Sequence, residues 1–175
     1  MRTEMRTEIR IEKLATQFQR LALWVAIVAI GLLCTLTPAW AEDYNKEFLV
    51  GRDFSNRDLT DSSFNHANLR ESNFSHANLQ GVSFFAANLE ASNLVGADLR
   101  NATLDSARIS EADLSDANLE GAFAFNAKFE SSKIDGADFT DTQMREDTRL
   151  LLCKLATGRN SVTGRETRET LYCDE

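Results

Sequence analysis

The sequence predicts an all-β fold, a four-walled solenoid of nearly five stacked coils closed by short helical caps. Three observations predict it. A large apolar residue recurs at every fifth position, a small residue stands two places before it, and the other three places are mostly polar. The stretch "ANLEASNLVGADLRNATLDSARISEADLSDANLEGA" (87–122) shows this most clearly, with centres at Leu89, Leu94, Leu99, Leu104, Ile109, Leu114 and Leu119. An α-helix advances about 100° per residue, so a five-residue period spirals around it and makes no stripe. On a flat strand side chains alternate, so i and i+5 face opposite ways. A chain that turns through roughly a right angle after every pentad points all centres inward, and its coils pair like neighbouring strands about 4.8 Å apart.

Residues 1–41 read as an export signal removed after Ala41. "MRTEMRTEIRIEKLATQFQR" is a charged leader, Leu21–Thr37 is an apolar run, and "PAWA" supplies the small-x-small cleavage pattern at Ala39 and Ala41. The run falls short of the roughly 20 residues that cross a bilayer, so no stable membrane insertion is expected after cleavage. Residues 42–53 are expected to form an N-terminal cap, with Tyr44, Phe48 and Leu49 covering the first coil. Arg52 and Arg57 occupy the small-residue place in the first two pentads, where the coil is still opening.

From Phe54 to Met144 the register runs through 19 pentads, and Ala124 is the one centre that is not Phe, Leu, Ile or Met. The residue two before the centre is Ala at 11 positions and Ser at four, because so narrow a tube admits one large and one small side chain per pentad. Residues 145–175 leave the register. They are expected to form a capping helix closed by Gly158, with Leu150, Leu151, Leu152 and Leu155 across the last coil, and then a tail. Cys153 and Cys173 are the two cysteines left after signal removal, and an even count in an exported chain suggests a disulfide.

Residues 42–175 hold 14 of the 19 Lys and Arg and 24 of the 27 Asp and Glu, a net charge of −10. That charge argues against nucleic acid or an anionic membrane as partner. The carboxylates follow the repeat, no nucleophile–base pair or phosphate loop is present, and no cofactor or metal is expected. His66 and His76, the only histidines, fall at opposite corners of the square and cannot share an ion. One feature departs from the repeat. Phe85, Phe123 and Phe125 stand at outward positions on the third wall, the last two flanking Ala124. An apolar patch on a polar rod marks contact, either with the tail folded back over it or with an external protein partner.

The pentads "ANLQG", "ANLEA", "ADLRN", "ADLSD" and "ANLEG" resemble the A(D/N)LXX pattern of the pentapeptide-repeat family over about 95 residues. The resemblance implies a right-handed quadrilateral β-helix. "LCKLATGRNSVTG" and the closing "LYC" are similar to the C-terminal segment of thylakoid-lumenal members from cyanobacteria and chloroplasts. There a cysteine near the capping helix pairs with one at the chain end, which implies Cys153–Cys173 here. The implied function is a non-enzymatic structural or protein-binding module exported to the thylakoid lumen or periplasm. The alternative is a DNA mimic that occupies the DNA site of gyrase, as some acidic members do; export and the short rod both oppose it.

Overall fold

A computed structural model describes residues 42–173, so the segment expected to be an export signal lies outside the described residues. Seventeen parallel bridges, each between residues 20 apart, run from Asp43↔Ser63 to Phe123↔Gln143 and define a tube of four walls. Each wall contributes one bridged residue per rung, so the sheet consists of single-residue bridges rather than continuous strands. Around Leu99 the pattern is complete. Its N–H donates to the Asn118 carbonyl one rung on at 2.7 Å, and the Ala102 N–H closes the turn onto the Leu99 carbonyl at 3.0 Å.

The preference for Asn or Asp just before each centre has a local cause. The side-chain oxygen accepts the N–H two residues on, as Asn118 does from Glu120 at 3.0 Å and Asp138 from Thr140 at 3.0 Å. That N–H lies at the turn and has no partner in the rung below. The same amides tie neighbouring rungs together: Asn78 Nδ2 donates to Asp58 Oδ1 at 3.0 Å, and Asn73 Nδ2 to Asp53 Oδ1 at 3.1 Å.

All seven centres from Leu89 to Leu119 are fully buried, and the small residues before them line the same interior. The first coils are aromatic. Phe64 stacks on Phe84 at 5.2 Å and Phe54 on Phe74 at 4.9 Å, while Phe74 meets Phe64 and Phe84 edge-on at 5.8 and 5.7 Å.

The expected cap over 42–53 is corrected: these residues already form the first rung. Tyr44 and Leu49 are themselves centres, Tyr44 stacking on Phe64 at 4.6 Å and Leu49 buried, whereas Phe48 points outward at 86% exposure. Phe48 holds the bridge position, paired with Asn68, so its side chain faces away from the tube. The end is covered instead by Arg57. With no rung below it among the described residues, its side chain folds over the Phe54 ring, 5.6 Å from the centroid, and pairs with Glu42 at 3.2 Å.

At every turn from Lys46 to Asp141 except Asn126, the residue two after the centre adopts a left-handed backbone, as His66, His76, Asn101 and Asp116 do with φ of 56–58°. At the second corner glycine alternates with larger residues. The second corner reads Asp61, Gly81, Asn101, Gly121, Asp141, and a Cβ on Gly121 would meet Asn101 Oδ1 at 2.7 Å. The first corner sets His76 over Gly96, where a Cβ would fall 2.5 Å from Nδ1. Each side chain thus occupies the space its glycine neighbour leaves open.

After Met144 come α1 (Glu146–Cys153) and α2 (Thr167–Thr170). Of the four leucines expected across the last coil, Leu152 is buried in the tube's core, Leu151 is half-buried, and Leu150 and Leu155 remain 50% and 39% exposed; Leu171 of the tail is buried in the same core. Gly158 does not close the helix, which ends at Cys153. With φ of +76° it lies against Asp135 and Gly136 where no side chain fits. Helix α2 presents Thr170, whose Oγ1 accepts the otherwise unpaired Phe139 N–H at 3.1 Å. Cys153 and Cys173 are disulfide-bonded with Cα atoms 5.5 Å apart, joining the end of α1 to the end of the tail. Among the described residues no helix is long and apolar enough to cross a membrane.

Candidate functional site

The third wall carries the departure from the repeat. Phe85 and Phe125 follow their centres and Phe123 precedes Ala124, so all three project outward, at 41%, 47% and 41% exposure. Phe123 takes the place that Asn or Asp holds in most other pentads, bridging Thr103 and Gln143. Asp105 lies on the rung between Phe85 and Phe125, half-buried, and its Oδ1 accepts the Asn126 N–H at 3.1 Å. Asn126 consequently stays out of the left-handed region that His66, Ala86 and Ser106 adopt at the same corner. The His66 ring meets Phe85 edge-on at 5.5 Å.

The expectation that the tail folds over this patch is corrected. The tail docks on the corner between the first and second walls, because that is where its polar groups find partners. Buried Asn160 donates from Nδ2 to the carbonyls of Asp116, Ala117 and Gly136 at 3.1, 3.3 and 2.9 Å. Its Oδ1 accepts the N–H groups of Val162 and Thr163 at 3.0 and 2.9 Å, which shapes the loop. Arg165 reaches Glu120 at 2.5 Å and Asp138 at 2.9 Å. The phenylalanines are left to solvent. Neither Asn160 nor Arg165 was legible as a docking residue, since no repeat marks them; the one signal is an asparagine set between Gly158 and Gly164 in a polar loop.

Between the tail loop and the second wall lies an open cavity of about 400 Å³, lined by Asp98, Arg100, Glu120, Asn160 and Arg165. Most of its charges are paired, and the Asp116 carboxylate, in no ion pair among the described residues, accepts the Ser161 N–H at 2.9 Å. Arg100 grips Asp98 through two contacts, at 2.8 and 2.6 Å. Burial pushes the Asp98 carboxyl up, but the hydrogen bonds and charge of Arg100 outweigh it and hold the group below its ordinary range. Asp138 behaves likewise: burial raises it, while Thr140, Thr163 and the Arg165 guanidinium bring it down further. Arg165 Nε approaches Asp138 Oδ2 at an angle outside a good hydrogen bond, so that contact is an ion pair. Neither carboxylate is poised to carry a proton near neutrality. His76 lies over Gly96 and His66 against Phe85, and among the described residues no group of three metal-ligating side chains converges.

A depressed folded-state carboxyl adds stability that is present above its unfolded pKa of about 3.9 and is lost as pH falls through the folded value. Asp138→Asn is therefore expected to lower the denaturant midpoint at pH 7, the gap narrowing as pH falls below about 4 and closing only below the depressed folded-state value. Paired urea titrations across that range check it; a gap independent of pH would show that the Arg165 contact contributes nothing through charge.

A sequence profile described as a pentapeptide repeat region matches residues 57–139. The chain is similar, at 44% identity and a TM-score of 0.74, to the crystal structure of a pentapeptide repeat protein from the Arabidopsis thaliana thylakoid lumen, covering 75% of this chain and 92% of that one. A pentapeptide repeat protein from Nostoc Pcc 7120 is similar at 27% identity and a TM-score of 0.52, over 71% of this chain and 94% of that one. Among curated proteins, the chloroplast thylakoid lumenal 15 kDa protein 1 of Arabidopsis thaliana is 53% identical over 36 residues, 21% of this chain and 16% of that protein's length. With its 20-residue coils, its pentads and a relative of this identity matched over nearly its whole length, the chain belongs to the pentapeptide-repeat family.

Proposed function

We propose that this protein is a non-enzymatic, exported module of the thylakoid lumen, or of a periplasm, that binds a protein partner through the third wall. The single observation that carries the compartment is the 44% identity to a thylakoid-lumen protein over 92% of its length. The apolar leader with cleavage after Ala41 and the Cys153–Cys173 bond agree with an oxidising destination. In this reading the tube is a right-handed quadrilateral β-helix and α1 is its C-terminal cap. The binding surface is the patch of Phe85, Phe123 and Phe125, which the protein's own tail leaves uncovered.

The test is crosslinking in the native compartment, followed by identification of what is recovered with the protein. Phe85→Ser combined with Phe125→Ser is expected to abolish recovery of the partner with little change in melting temperature, because both rings are outside the core. Unchanged recovery would remove the third wall from consideration.

A further inference from the structure

The geometry points to a basic side chain, arginine above all, as the group that the partner inserts into the third wall, with Asp105 as its anchor. This rests on the reading of that wall as the partner surface and adds the chemistry of what binds there. The residues following the centres read Asn65, Phe85, Asp105, Phe125 and Arg145 from rung to rung. Rungs repeat at about 4.8 Å, so a group held at the level of Asp105 has an aromatic ring about one rung away on either side. That is within the roughly 6 Å over which a ring face attracts a cation.

The carboxylate between the rings has capacity left. Its Oδ1 takes the Asn126 N–H, and Asp105 enters no salt bridge among the described residues. Asp98, Asp113, Glu120 and Asp138 each have an arginine or lysine of the same chain; Asp58, Asp61 and Asp116, like Asp105, have no such pair among the described residues, but Asp105 is the one set between Phe85 and Phe125. Arg145, at the edge of the patch, is turned to Asp147 at 3.2 Å. His66 meets Phe85 edge-on from the rung on the far side of Phe85 from Asp105. A purely apolar partner would strand the Asp105 charge in the contact, which is costly. An acidic partner would be repelled by it and by the net −10 of residues 42–175. A guanidinium satisfies both parts of the surface, pairing with the carboxylate and lying against the rings.

The probe is an acetylated hexa-arginine peptide, with hexa-citrulline as a neutral control of the same shape, titrated by NMR into the exported protein with its disulfide intact. The arginine peptide is expected to shift the amides of Phe85, Asp105 and Phe125 saturably, and the citrulline peptide to leave them unmoved. Asp105→Asn keeps an oxygen for the Asn126 N–H and is expected to weaken binding about fivefold. Glu111→Gln removes one charge from a distant corner and is expected to change it less than about twofold. Equal losses in the two variants, or shifts spread over all four walls, would mean general attraction to an acidic rod and would overturn the inference. Crosslinking separates this from the broader reading. A partner lost from the double phenylalanine variant but retained by Asp105→Asn leaves the surface standing and removes the cation; a partner retained by both removes the surface.

Discussion

Phe74→Ala is expected to destabilise the protein by about 3–5 kcal/mol, the largest effect of any single substitution considered. Phe74 is fully buried and touches three other rings, Phe54 at 4.9 Å, Phe64 at 5.8 Å and Phe84 at 5.7 Å. Part of the cost is transfer of a large side chain. The rest is the void, which cannot close because each wall is held at its rung spacing by backbone hydrogen bonds above and below: Phe74 N–H to Asn93 at 2.7 Å, and the Asn73 N–H to Arg52 at 2.9 Å. Leucine is the informative control. The same wall carries Leu94 and Leu114 one and two rungs on, so Phe74→Leu is expected to cost less than about half as much. Urea unfolding of the three proteins measures this; equal stability of the alanine variant and wild type would contradict a core filled by these rings.

Reduction of Cys153–Cys173 is expected to speed amide exchange in the tail about a hundredfold, which corresponds to the roughly 3 kcal/mol that a loop of this length contributes. The bond closes a 20-residue loop that holds the tail segment with Asn160 and Arg165. Without it the tail still has the carbonyl contacts of Asn160 and the pairing of Arg165, so it is loosened rather than released. The readout is hydrogen exchange at Asn160 and Leu171 with and without a thiol reductant, with Leu99 in the middle of the tube as reference. Tail exchange that ignores the reductant would sink the idea; acceleration confined to the tail is the expected result.

Much of the architecture was legible because one requirement is repeated on every wall. Leu99 is buried for the same reason as Leu79 and Leu119, and a period repeated that often cannot be mistaken for a helix or a flat strand. Reading failed where the requirement changes. Tyr44 and Leu49 were hidden because Arg52 and Arg57 interrupt the small-residue position just after them. Arg57 is accommodated there because its side chain leaves the small-residue place, lying over the Phe54 ring and pairing with Glu42. The phenylalanines of the third wall stood out as exceptions, but what covers them depends on where the tail goes. That is decided by the polar contacts of Asn160 and Arg165, which no periodicity announces. Leu150 and Leu155 looked equivalent to Leu152, yet Leu150 is turned about 200° away from it around the helix and Leu155 lies past the helix end at Cys153.

The alternation along the second corner has a consequence for fidelity of winding. A chain built from near-identical fives invites misthreading, in which a loop skips ahead by a whole turn and most inward residues still find acceptable neighbours. Asp61, Gly81, Asn101 and Gly121 work against that like a two-step vernier. Skipping one turn would set Asp61 against Asn101, and the vacancy that Gly81 provides would be gone. The bulky-then-bare rhythm of this one corner thus distinguishes turns that the lining alone leaves interchangeable.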